Sequence, residues 1–156
     1  MNDLKSTTSD ELHTHLTHLL ETNRPELVNR YQQVLRETLF SRRTTIRPAM
    51  LRSIAADEVD ALGSFLRQPH LPTLERGAQL YQTGLSEQPV LRMGQATRQF
   101  FVTRIENGQI AAALEVIDAY QEGIILGFIQ SLEKAVADKQ ERTRQAFERV
   151  VSRDKS

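Results

Sequence analysis

Cysteine is absent from the 156 residues. Its absence excludes disulfides, thiolate metal sites and cysteine nucleophiles together, and it suits a reducing cytoplasm. Net charge is missing as well, with 20 Lys and Arg against 20 Asp and Glu. A balanced chain lacks the field that draws a protein broadly onto nucleic acid or an anionic membrane. No apolar run approaches the ~20 residues that a bilayer-spanning helix needs. Residues 1–8 are polar and lack the apolar core of a signal peptide. No stretch alternates apolar and polar residues with β-branched enrichment, so no sheet is expected. A Gly-rich phosphate loop, a His-x-x-x-His pair and a nucleophile elbow are also missing. An enzyme is therefore not expected. No internal repeat is visible.

What is present is helix-forming sequence, densest in the last third. From Gly108 to Arg153 there is no proline. Alanine, leucine, isoleucine, glutamate, lysine, arginine and glutamine dominate there, and most of these favour helix. One helix of that length measures about 65 Å at the usual rise, more than the diameter of so small a domain. Its composition changes along the way. Ile110 to Leu132 is rich in large apolar residues, including Ile124, Ile125, Leu126, Phe128 and Ile129. From Glu133 onward it is charged, with a thin apolar seam. The first half reads as the core helix of a bundle and the second half as a segment that leaves it.

Upstream, prolines and glycines punctuate five shorter helices. Residues 1–8 read as a disordered tail, with Ser9 as N-cap and Asp10 and Glu11 in a first turn that favours acids. Leu12, Leu16, Leu19 and Leu20 form an apolar stripe that closes at Asn23 and Arg24. Pro25 suits a helix start, and Leu27, Val28, Tyr31, Val34, Leu35 and Leu39 follow at helical spacing. A connector from Ser41 to Arg47 leads to Pro48, a further start. Leu51, Ile54, Ala55, Val59, Leu62, Phe65 and Leu66 make the third stripe. Gly63 lies within it, which weakens the helix unless a neighbour comes close. Pro69 and Pro72 cannot share one helix and mark a break. A short helix then runs to about Gly84. Another opens at Ser86 and Glu87 and ends before Asn107-Gly108.

Two features of the long helix bear on function. Leu132, Val136, Lys139, Thr143, Ala146 and Val150 are spaced 4, 3, 4, 3 and 4, a heptad seam that Lys139 and Thr143 weaken. Phe147 and Val151 flank its end. The seam either pairs with a second chain or packs back on its own bundle. Gly123 and Gly127, four apart, share one face beside Phe128. Small residues at that spacing let another backbone approach. They serve either a tight crossing or bend at a dimer interface, or packing against a bulky neighbour in the same chain. Gly123, Gly127, Phe128, Leu132, Val136, Ala146, Phe147 and Val150 are thus the candidate dimer and signal-relay residues.

Other chemistry is sparse. His13, His15 and His18 share a helix, but at about 100° per residue only His15 and His18 project together. Three ligands from that helix therefore cannot converge on one ion. His70 sits in the Pro69–Pro72 break, a poor place for a haem ligand. Arg36, Arg42, Arg43 and Arg47 form a candidate patch for an anionic ligand or partner, near the helix start at Pro48. The alternative is a solvated face pairing with Asp57, Glu58 and Asp60, which read as a cluster on a helix surface.

With its bundle of about 130 residues and the charged helix Lys139-Gln-Glu-Arg-Thr-Arg-Gln-Ala-Phe-Glu-Arg-Val-Val151, the chain resembles the N-terminal sensor domains of stressosome co-antagonist proteins of the RsbR type. The resemblance implies an all-α, globin-like helical bundle without haem. It also implies a homodimer whose long C-terminal helix extends as a coiled-coil-like linker into a phosphorylatable STAS effector. Charged linkers of this kind also precede histidine kinases, guanylate cyclases and PAS modules. No STAS threonine motif lies within these residues, so no phosphorylation role passes to any of them. The expected organisation is a tail over 1–8, a sensor bundle over 9–132 and an exit helix over 133–156. The expected function is cytoplasmic signal input by a homodimer without cofactor, catalysis or membrane contact, with an effector or stressosome-type proteins as partners. The alternatives are a globin-like protein holding haem or another small ligand, and an arginine-rich DNA-binding regulator.

Overall fold

A computed structural model of the chain describes residues 2–39 and 46–155, with side chains from Thr8 onward. The described residues contain six α-helices and no strand. They are α1 (Asn2–Thr22), α2 (Arg24–Leu39), α3 (Leu51–Arg67), α4 (Leu74–Gln82), α5 (Glu87–Val102) and α6 (Ile110–Asp154). Short 3-10 turns at Pro48–Met50 and Asn107–Gln109 lead into α3 and α6.

Most boundaries follow the punctuation. Pro25 lacks an N–H and its ring would clash with the carbonyl four residues back, so α1 cannot run on. The chain turns on Asn23 alone, whose side-chain amide donates to Leu19 O at 2.9 Å. α4 ends in a Schellman arrangement. Gly84 takes φ 99°, its N–H bonds Tyr81 O at 3.0 Å, and Leu85 N–H reaches Leu80 O at 3.4 Å. The N-terminal boundary differs from expectation. α1 begins at Asn2 rather than at the Ser9 cap, because no glycine or proline interrupts residues 2–9 and the helix simply extends backward.

The helices pack as a bundle in which α2 lies against both α3 and α5, α1 covers α3, and α6 contacts α5 and most extensively α4. The apolar stripes meet in one core that includes Leu16, Leu27, Leu35, Leu62, Leu66, Leu80, Phe100, Phe101 and Ile117. Tyr81 and Phe128 stack edge to face at 5.5 Å between α4 and α6. Surface ion pairs join α1 to α3 (Arg67–Glu21, 3.0 Å), α2 to α3 (Arg24–Asp60, 2.9 Å) and α2 to α5 (Arg92–Glu37, 3.0 Å). Exposed pairs of this kind contribute little, of order 0–1 kcal/mol each.

Candidate functional site

α6 is one uninterrupted helix of 45 residues that serves two environments. Ala113, Ile117, Tyr120, Ile124 and Phe128 are buried in the bundle. From Val136 to Lys155 every residue is exposed, and Leu132, Val136, Phe147 and Val150 are exposed, Phe147 at 69%. Ala146 is exposed as well. Leu126 and Ile129, which sequence reading assigned to the core, are also exposed, at 46% and 41%. At about 100° per residue, Leu126, Ile129, Leu132, Val136, Phe147 and Val150 fall in one band of the α6 surface. That band lies about 130° round from the Ile117–Ile124 face. The apolar strip therefore starts alongside the bundle and reaches about 35 Å along the rod, interrupted by Lys139 and Thr143 between Val136 and Phe147. Glu141, Arg144 and Glu148 link up on another face, with Arg144 bonded to both acids.

The glycine pair is used inside the chain. A Cβ on Gly127 would lie 1.9 Å from Leu74 O, and one on Gly123 would lie 1.5 Å from Thr73 Oγ1. Across the crossing, a Cβ on Gly77 would meet Ile124 O at 2.0 Å. α4 and α6 thus touch backbone to backbone, and α4 occupies the face that a dimer crossing at Gly123 and Gly127 would need. Of the two expectations for this pair, packing within the chain is the one realised. Phe128, buried against Tyr81, belongs to the same crossing.

Where α6 passes α2–α5 there is a partly open cavity of about 240 Å³, with exposed Leu91 and Gln95 at its mouth. Leu80, Val90, Met93, Ile124 and Ile125 form its apolar wall, and Tyr31, Glu58, Thr97, Tyr120 and Gln121 its polar side. Glu58 is the residue that sequence reading misplaced. It is 5% exposed rather than on the surface with Asp57 and Asp60. The signal was present: Glu58 stands four residues after Ile54 and four before Leu62, on the stripe itself. It is tolerated because two donors meet it. Arg76 Nε bonds Oε2 at 2.8 Å and the Tyr120 hydroxyl bonds Oε1 at 2.7 Å. Burial raises the Glu58 pKa above its ordinary value, and Arg76 and Tyr120 oppose that rise. Burial raises Tyr120 too, with the Glu58 charge adding to it. Tyr31 is likewise raised, by burial first and by Glu58 second. The Tyr31 and Thr97 hydroxyls bond each other, and Thr97 also donates to Met93 O at 2.9 Å.

None of the four histidines lines this cavity. His15, His18 and His70 are exposed. His13 is half-buried, with Nδ1 buried and unpartnered, and burial lowers its pKa against the pull of Asp10. Among the described residues no group of three or more His, Asp or Glu is placed to hold a metal ion. In the arginine patch, Arg36 and Arg47 are exposed, whereas Arg42 and Arg43 lie outside the described residues. Acids reach the neighbouring arginines in space. Glu26 pairs with Arg30 at 3.4 Å and with Arg104, and Glu37 pairs with Arg92. Asp60 and Glu58 go to Arg24 and Arg76 instead of the patch.

No helix of the described residues is long and apolar enough to cross a membrane. Comparison with models of protein families, with curated proteins and with solved structures gives no match to this chain.

Proposed function

We propose that the chain is a cytoplasmic signal-input module, a globin-like sensor bundle that dimerises along α6. It passes a stress or ligand signal through that helix, as a coiled-coil-like linker, to an effector such as a STAS domain or to stressosome-type partner proteins. One observation carries this reading. The same unbroken helix supplies buried core residues from Ala113 to Phe128 and then an uncovered apolar strip from Leu132 to Val151. A solvated single helix has no use for exposed phenylalanine and valine in register. A second copy of the strip buries them, with knobs entering holes along a shared seam. A shift in packing at the base of such a helix reaches its far end as a movement of the whole rod.

The chain has no cysteine, so a single Arg149→Cys change permits unique spin labelling on a face of α6 away from the strip. Electron–electron dipolar spectroscopy is expected to return one defined interchain distance at micromolar protein. Absence of any interchain coupling, together with a monomer mass by light scattering, removes the dimer and with it this reading.

A further inference from the structure

We propose that the cavity between α2, α3, α5 and α6 is a binding site for a small neutral hydroxyl compound, of about the size of a phenol. Its O–H would donate to the Tyr31 or Tyr120 oxygen, and its apolar body would lie against Val90, Met93 and Ile124. This site stands apart from the use made of α6, since binding here requires no second chain.

The inference comes from an inventory of hydrogen-bond donors. The Thr97 hydroxyl proton goes to Met93 O, so in the Tyr31–Thr97 bond Tyr31 is the donor. The Tyr120 proton goes to Glu58. Gln121 Nε2 donates one of its two N–H groups to Gly94 O at 2.7 Å, and one Arg98 N–H goes to Asp118, so the N–H groups left over are those of Gln95, Gln121 and Arg98. Each hydroxyl proton facing the cavity is therefore committed within the protein. Lone pairs remain on both phenolic oxygens, since a phenol accepts as well as donates. Tyr31 and Tyr120 both line the cavity and are themselves buried. A ligand that complements them brings a donor.

Size and charge narrow the class. An apolar cavity of about 150 Å³ accepts benzene. The present cavity, at about 240 Å³, takes a substituted ring or a branched alcohol of similar bulk. The one carboxylate in the wall is already neutralised by Arg76 at 2.8 Å. An ammonium group entering here would be desolvated with no free counter-charge, which disfavours amines.

The test uses phenol as probe, toluene as the same ring without a donor, and benzylammonium as the cation, each titrated calorimetrically into the full chain. Phenol is expected to saturate one site per chain and to bind at least about tenfold more tightly than toluene, with benzylammonium weaker than both. Ile125→Phe fills the cavity from α6 and is expected to abolish phenol binding while the chain keeps its helical circular dichroism. The double variant Tyr31→Phe with Tyr120→Phe is expected to bring phenol and toluene to within about twofold of each other. Should that variant fail to fold, the probe ratio in the unmodified chain and the Ile125→Phe result decide alone. Equal affinity for phenol and toluene, no saturable phenol binding up to its solubility, or full binding to Ile125→Phe each overturns the proposal.

Discussion

Glu58 shows how one residue can set a pH dependence for the fold. Its carboxyl is buried, and the cost of burying the charge outweighs the help of Arg76 and Tyr120, so its folded pKa stands above the ordinary value of 4.5. Between those two values the folded chain holds a proton that the unfolded chain has released. The stability contributed by the protonated form is fully present below pH 4.5 and is lost as pH rises through the folded pKa. Inside that window the loss approaches about 1.4 kcal/mol per pH unit at most. Glu58→Gln keeps the shape and cannot titrate. Urea midpoints taken from pH 4 to 8 should fall with rising pH in the unmodified chain relative to Glu58→Gln. Glu26 and Glu141, which their arginine partners lower, titrate in both proteins and drop out of the difference. Parallel curves would show that burial of Glu58 is compensated in full by its two donors. Gly63 is a second case at this scale. A Cβ there meets the flexible ends of Leu20 and Arg67 at 3.4 Å, an ordinary contact. Gly63→Ala in mid-helix should therefore stabilise by about 0.5–1 kcal/mol, read as a higher melting temperature.

At the level of elements, the α4–α6 crossing separates two kinds of close approach. The obstacle at Gly123 is the Thr73 side chain, whereas the obstacles at Gly77 and Gly127 are the carbonyls of Ile124 and Leu74. Side chains can be trimmed and backbone cannot. Gly123→Ala should be largely rescued by Thr73→Gly, which removes both the Oγ1 at 1.5 Å and the Cβ at 2.8 Å, in a double-mutant cycle. Gly77→Ala and Gly127→Ala should each cost about 2–4 kcal/mol with no single-residue rescue. Equal cost at all three positions in chemical denaturation would refute the distinction. The same crossing marks how far the sequence could be read. Six helices and their breaks at Pro25, Pro48, Pro69 and Pro72 were legible, because proline and helical periodicity act locally. The face carrying Gly123 and Gly127 was legible as a close-packing surface, but its occupant was not. Nothing local in α6 names α4, and the matching gap at Gly77 lies about fifty residues away. Glu58 was hidden for a related reason. Its neighbours Asp57 and Asp60 are exposed, and the partners that permit its burial, Arg76 and Tyr120, sit on other helices.

For the molecule as a whole, the crossing and the rod together make a lever. From Gly127 to Arg149 is about 33 Å of helix. The bundle grips α6 over roughly 15 Å on the other side of that point, from Ile117 to Gly127. A Cβ at Gly127 must gain about an ångström or more from Leu74 O, and α4 is itself anchored by Leu80 in the core. Displacing α6 by an ångström at the crossing, with Ile117 as pivot, tilts it by about 4°, which carries Arg149 about 3 Å. In a symmetric pair the two rods move in opposite senses, so labels on them should change separation by up to twice that. Gly127→Ala, made in the Arg149→Cys chain, should therefore shift the interchain distance distribution by about 3–6 Å while dimer mass is unchanged. Gly63→Ala, far from the crossing, should leave it where it was. A distribution that stays fixed in Gly127→Ala, in a protein whose lowered stability shows that the crossing has been strained, would mean the bundle absorbs the change. The exit helix would then be a dimerisation strut, and no message could pass from the α4 face to its tip.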